Sequence, residues 1–282
     1  MTAATCRATI LDVSPAPRAE RPISHVAVPE AVRGIAAGDA IEAVWRNQLG
    51  GLTFRVAAGT RRDRYVKWAA HGTPEIDLAG EAARLQWIDG RAAVPAVLGY
   101  GADDDGAWLV TAAIAATSAV DPRWAAQPAT AAAAIGTGLR RLHDALPVEE
   151  CPFRWDIESR LGRVKERIAS GEGPTEWFPE HRQLTIRRAL ERLGDRPPVD
   201  VPVVCHGDAC APNTLIDDDG HFVANVDFGH LGVADRWADL AVAAWSTAWN
   251  YGPGYETLVY DAYGVSADPE RISYYRLLWD LA

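Results

Sequence analysis

The chain has 282 residues, of which 48% are hydrophobic and 23% charged, enough for one or two packed cores and too apolar for an intrinsically disordered chain. A formal net charge of −10 argues against nucleic acid as the main partner, because phosphate backbones select basic surfaces, and it is compatible with a cationic one. Cys6, Cys151, Cys205 and Cys210 contain no CxxC pair, so zinc and disulfide frameworks are disfavoured and reduced, cytoplasmic thiols are expected. No apolar run reaches the roughly 18 residues of a membrane helix, and the N-terminus lacks the apolar core of a signal peptide. A loose leader is expected over residues 1–22, where Pro15, Pro17 and Pro22 fall.

From Ile41 to Trp68 short β-rich runs flank Gly50-Gly51 and the turn Gly59–Asp63, which predicts a small antiparallel sheet. Residues 79–89 follow as a helix. Two further strand candidates, VPAVLGYG and AWLVTAAI, surround the turn Asp103–Gly106. Beyond Asp121 the pattern turns helical, over Ala126–His143, Ile157–Ser170 and His181–Leu193. The expected class is α+β. An N-terminal nucleotide-binding lobe spans 1–113, and a larger, mainly helical catalytic and substrate-binding lobe spans 114–282. Trp237, Leu240, Ala241, Ala244, Trp245 and Ala248 form one helical stripe, expected to be core.

The chemistry concentrates between Val201 and Asp239. A short apolar strand, Val201–Cys205, releases His206-Gly207-Asp208. Thr214–Ile216 and His221–Val226 flank Asp217-Asp218-Asp219-Gly220, an Asp-Gly hairpin turn. That hairpin brings Asn213 and Asp227 to one open end beside Asp208. Phosphoryl transfer needs these groups: a carboxylate to take or orient the proton of an attacking hydroxyl, and hard oxygen ligands to hold Mg²⁺ against nucleotide phosphates. An Asp, an Asn five residues on, and Asp227-Phe228-Gly229 closing the next hairpin reproduce the kinase spacing. His206 is expected to brace the turn through hydrogen bonds. In the first half, Lys67 lies in a strand-like run. Glu81 shares a helical face with Leu85 and Ile88, which allows a Lys67–Glu81 ion pair aimed at the phosphates; the competing arrangement pairs Glu81 with Arg84 at i, i+3. Gly51 is a candidate for a phosphate-covering turn.

At these residues the sequence resembles the aminoglycoside phosphotransferase family, closest to its 3′ branch, from about residue 45 to the end. VVCHGDACAPNTLI, NVDFGHLGVADRWADLA and the closing YYRLLWDLA carry the resemblance, with GEAARLQW and Cys151-Pro152-Phe153. The resemblance implies a bilobal, protein-kinase-like fold that uses ATP, or GTP, with Mg²⁺ to phosphorylate a hydroxyl of a cationic antibiotic and so confer resistance. It implies Asp208 as catalytic carboxylate, Asn213 and Asp227 as metal ligands, Lys67 and Glu81 as the phosphate-positioning pair, and an adenine-binding hinge at Thr111–Ala113. Arg236 would hold the active-site loop. Glu172, Glu176, Glu180 and Asp280 would grip the drug. A cytoplasmic monomer or dimer, with no nucleic-acid or membrane partner, completes the expectation. Two departures bear on the substrate: the chain closes Leu278-Trp279-Asp280-Leu281-Ala282, with Trp279 for an acid and Ala282 for an aromatic, and the hinge Ala112–Ala116 lacks an acidic residue and a glycine. The alternatives are a kinase of the same fold acting on a macrolide, another antibiotic or a metabolite, and a silent binding module.

Overall fold

The computed structural model describes residues 19–20, 26–47, 49–169, 171 and 177–281. Its first half is built on a fully antiparallel sheet of β1 (Ala19–Glu20), β2 (Ile41–Asn47), β3 (Leu52–Val56), β4 (Arg64–Ala70), β5 (Val97–Ala102) and β6 (Gly106–Ala112), in the order β1-β2-β3-β4-β6-β5. Period-two alternation gives the sheet two different faces. Phe54, Val56, Val66 and Val110 pack against Val32 and Ala36 of α1 (Glu30–Ala36). Ala69 and Leu109 pack against Leu78, Ala82, Leu85 and Ile88 of α2 (Leu78–Ile88). Lys67, one residue from both Val66 and Trp68, shares the α2 face with Ala69. α2 starts where Asp77 accepts the Gly80 N–H at 2.8 Å, an N-cap that fixes the helix's first turn.

The second half is mainly helical: α3 (Pro122–Ala125), α4 (Pro128–Ala145), α5 (Ile157–Ala169), α6 (Ile186–Gly194), α7 (Trp237–Tyr251), α8 (Glu256–Tyr263) and α9 (Pro269–Leu281). Two small sheets interrupt them. β7 (Thr117–Ser118), β9 (Thr214–Ile216) and β10 (Phe222–Asn225) form one, and β8 (Pro202–Cys205) with β11 (Gly232–Asp235) the other. α4 and α8 approach closely at Gly136, where a Cβ would meet the Val259 carbonyl oxygen at 2.3 Å; any side chain there would force the helices apart. Trp237, Leu240, Ala241 and Ala244 of the stripe are buried in the large helical core and Trp245 is buried beyond it, whereas Ala248 at the stripe's end is only half-buried.

A separate core joins the halves. Phe228 and Leu231 lie with Leu85, Ile88 and Leu109 on one side and with Leu142, Leu146 and Val204 on the other. Each fully buried side chain of this kind contributes about 2 kcal/mol, so the sheet, α2 and the Asp227-Phe228-Gly229 segment are held as one unit. The α+β, two-lobed architecture matches the expectation. The helix predicted at His181–Leu193 is corrected to Ile186–Gly194. Residues 178–184 instead form tight turns, with His181 N–H on Phe178 O and Leu184 N–H on His181 O, both at 2.8 Å; Thr185 then caps α6 by accepting the Arg188 N–H. No helix among the described residues is long and apolar enough to cross a membrane.

Candidate active site

Three segments converge where the sheet meets the helical half. β8 ends in the turn His206-Gly207-Asp208. Gly207 has φ +89°, and a Cβ there would meet the His230 carbonyl oxygen at 2.2 Å, so only glycine lets this turn lie against the segment after Phe228. The turn is pinned from below. Asp239, fully buried in α7, accepts the His206 N–H at 2.6 Å and the Gly207 N–H at 2.9 Å. His143 of α4 donates Nε2–H to the same carboxylate at 3.0 Å, and its Nδ1 lies 2.9 Å from the Tyr263 hydroxyl. The His206 ring donates to Val226 O at 2.9 Å and accepts the Asp208 N–H at 3.3 Å, which ties the turn to the strand leading into Asp227.

The hairpin β9–β10 works as the spacing predicts. The Val226 N–H donates to Asn213 O at 3.0 Å. The Asn213 amide nitrogen donates to Asp208 O at 2.9 Å and to Asp208 Oδ2 at 3.2 Å. Asp227 has φ +70°, a left-handed conformation uncommon for a residue with a Cβ. It directs the carboxylate to Lys67, whose Nζ donates to Asp227 Oδ1 at 2.8 Å and to Glu81 Oε1 at 2.6 Å. The competing Glu81–Arg84 pairing is not what forms; Arg84 donates to Leu231 O at 3.2 Å.

The charges follow from this geometry. Burial alone would favour a neutral amine at Lys67, but the Asp227 and Glu81 carboxylates outweigh it and hold its pKa above the ordinary lysine value. Burial would likewise raise Asp227, and the Lys67 ammonium brings it below the usual carboxylate range. Asp208 moves the other way: burial and the nearby Asp227 charge raise it, against the opposing Cys210 thiol, His206 and Asn213 amide. Two neighbouring carboxylates pushed apart in this manner are suited to different tasks. Asn213 and Asp227 also fit a hard dication. The amide nitrogen of Asn213 is engaged with Asp208, which leaves its side-chain carbonyl oxygen available as a donor, and Asp227 adds a carboxylate at the same end; both are oxygen donors of the kind Mg²⁺ selects.

The remaining sequence candidates fall elsewhere. Gly51 lies in the β2–β3 turn, with its N–H on Asn47 Oδ1 at 2.7 Å. Thr111 is in β6 opposite Tyr65, and the Ala113 N–H donates to Asp63 O at 3.1 Å. Arg236 requires a correction: its guanidinium is paired with Asp200 at 2.6 Å, and Asp239 holds the active-site turn instead. Asp280 is also revised, since its side chain is sealed inside, accepting the Phe178 N–H at 3.0 Å and His181 Nδ1–H at 2.7 Å. Glu180 is half-exposed; it accepts the Trp245 Nε1–H at 3.0 Å and lies 3.7 Å from Arg276. Glu172 and Glu176 lie outside the described residues. Asp239 and His143 are the residues that motif reading passes over. A usable signal was present: an acid inside the apolar run WADLAVAAW must be buried, and a buried carboxylate needs partners.

Asp239 yields a stability prediction. Burial would raise its pKa, but the hydrogen bond from His143, the electrostatic pull of the His143 and His206 rings, and the Gly207 N–H more than offset this and bring it below the usual carboxylate value. A folded value below the unfolded one stabilises the protein above the unfolded pKa, and that contribution is lost as pH falls through the folded value. Asp239→Asn is therefore expected to cost about 3 kcal/mol at neutral pH. Denaturant unfolding of both proteins checks this, and the gap between them should narrow on acidification; a pH-independent gap would contradict the assignment.

Known proteins share this arrangement of chain and fold. An aminoglycoside 3′-phosphotransferase from Streptomyces fradiae is 35% identical over 251 residues, covering 84% of this chain and 92% of that protein. The crystal structure of aminoglycoside-3′-phosphotransferase of type VIII superposes with a TM-score of 0.76 at 32% identity, over 89% of this chain and 96% of that one. Aminoglycoside phosphotransferase APH(3″)-Id from Streptomyces rimosus, in complex with ADP and streptomycin, gives 0.70 at 28% identity, over 87% and 94% of the two chains. The model of the phosphotransferase enzyme family matches residues 44–275, and the chain belongs to that family.

Proposed function

We propose that this protein is an aminoglycoside O-phosphotransferase: it moves the γ-phosphate of ATP, with Mg²⁺, onto a hydroxyl of an aminoglycoside antibiotic and thereby confers resistance. The observation that carries the reading is the convergence of Lys67, bonded at once to Glu81 and Asp227, with the Asp208–Asn213 pair at the end of one hairpin. The names of the 3′ relatives point to the 3′ hydroxyl; the streptomycin complex of the APH(3″)-Id structure supports a 3″ hydroxyl as the second reading.

In this mechanism Glu81 fixes the Lys67 ammonium so that it meets phosphate oxygens without searching rotamers. Asp208, held by the Asn213 amide and the pinned turn, orients the acceptor hydroxyl and takes its proton as the phosphoryl group transfers. The raised pKa of Asp208 makes it a better proton acceptor than an exposed aspartate. Asn213 and Asp227 would hold Mg²⁺, which when bound neutralises charge developing on the transferring phosphoryl group. Buried Phe228 and Leu231 keep Asp227 in register with α2 and hence with Glu81.

Expression of the chain in a susceptible bacterial host tests the reading. Growth is expected on at least one of kanamycin, neomycin and streptomycin at concentrations that stop the same host expressing Asp208→Ala. Susceptibility to all three, with the protein present in soluble form, would contradict an aminoglycoside acceptor.

A further inference from the structure

The Asp227 turn is fixed on its entry side by the His206 ring, which donates to Val226 O at 2.9 Å. Its exit is fixed differently. β8 and β11 pair antiparallel, with Gly232 opposite Cys205, so the strand that releases the catalytic turn lies beside the strand that receives the chain from Asp227. His230 sits where the two meet. A Cβ on Gly207 would meet the His230 carbonyl oxygen at 2.2 Å and the His230 Cβ at 2.7 Å. The His230 backbone therefore rests directly on the residue before Asp208.

Trp155 holds His230 in that place. The segment that carries it runs along β11: the Val233 N–H donates to Phe153 O at 2.9 Å, and the Trp155 N–H donates to Val233 O at 3.0 Å. A Cβ on Gly232 would meet the Arg154 carbonyl carbon at 2.5 Å, so no side chain separates the two backbones. Trp155 is buried, and its indole stacks on the half-buried His230 imidazole with centroids 4.5 Å apart and planes 16° from parallel. The Arg160 and Arg163 guanidiniums lie over the same indole, 5.1 and 5.3 Å from its centroid, and add cation–π attraction to the packing. Burial and the Arg163 guanidinium push the His230 pKa down to about 4, against the opposing Asp227 carboxylate. The imidazole is neutral at neutral pH, so its loss changes packing near Asp227 and not charge.

Asp227 has φ +70°, and a residue with a Cβ stays in that region only where its surroundings over-determine it. We propose that Trp155 is a positioning residue for the metal-binding carboxylate: by stacking on His230 it fixes the exit of the Asp227-Phe228-Gly229 segment against Gly207, and so keeps Asp227 in register with Asp208 and Asn213. This rests on Asp227 as a Mg²⁺ ligand in the function proposed above.

Calorimetric titration of the purified protein with ATP, with and without Mg²⁺, tests it and needs no acceptor. His230→Ala keeps the backbone and Cβ that meet Gly207 and removes the stack. It should weaken Mg·ATP binding by about two- to tenfold, the span of one aromatic pair, and leave metal-free ATP binding unchanged. Trp155→Leu carries the same expectation, and Trp155→Phe should recover most of the loss because it restores an aromatic face. If Trp155→Leu does not fold, His230→Ala decides the matter. Mg·ATP affinity unmoved in His230→Ala, or lowered equally with and without Mg²⁺, would overturn the positioning role and leave the proposed function intact. A wild type that binds ATP equally well with and without the metal would remove Asp227 as a metal ligand and this inference with it.

Discussion

Asp208→Ala should lower kcat by about 10²–10⁴-fold, the span attributed to a positioned general base, and leave the affinity for Mg·ATP nearly unchanged. The nucleotide clamp is a different set of side chains, Lys67 with Glu81 and Asp227. The same substitution has a second signature. Burial and the Asp227 charge raise the Asp208 pKa, so its ionised form is disfavoured in the fold, and stability is lost as pH rises from the unfolded to the folded value. Removing the carboxylate removes that loss. A melting temperature at neutral pH equal to or above wild type, with turnover nearly abolished, is the expected combination. An inactive variant that is also strongly destabilised would make Asp208 a structural residue, and near wild-type turnover would remove it from the chemistry.

Asp227→Asn is expected to weaken Mg²⁺-dependent ATP binding by roughly 10²-fold or more, since a hard dication loses its anionic ligand. Asparagine is the informative replacement. It tolerates the left-handed backbone that Asp227 adopts at φ +70°, so the loss is assigned to charge and not to a collapsed turn. Lys67 also donates to Glu81 at 2.6 Å, a bond the substitution does not remove, so the ammonium should stay in place. Calorimetric titration with ATP, with and without Mg²⁺, reads the result. Unchanged affinity and unchanged metal dependence would place the metal elsewhere.

The local segments that carry the chemistry were legible in the sequence because they obey short-range rules. The five-residue step from Asp208 to Asn213, the Asp-Gly hairpin and the Asp227-Phe228-Gly229 closure depend on turn chemistry, and the backbone bond from Val226 to Asn213 completes them as the spacing required. Glu81 was legible for the same reason, since its helical face with Leu85 and Ile88 is the buried face of α2.

Long-range partners were not. Arg236 follows an acid-rich motif and reads as a loop-holding residue, yet Asp200, thirty-six positions away, captures it. Asp280 is expected from the resemblance to grip the substrate, yet α9 packs it against Phe178 and His181, about a hundred residues earlier. The helix expected from His181 starts at Ile186 because that same contact holds Phe178–Leu184 in turns. In each case the partner that decided the outcome lay on another element.

The most direct test is the product itself. Purified protein is incubated with Mg·ATP and streptomycin or kanamycin, and the drug is recovered and analysed by mass spectrometry and ³¹P NMR. One phosphoryl ester on a drug hydroxyl, formed by the wild type and absent with Asp208→Ala, is the expected result. Drug recovered unmodified while ATP is consumed at the same rate with or without it would contradict phosphoryl transfer to an aminoglycoside.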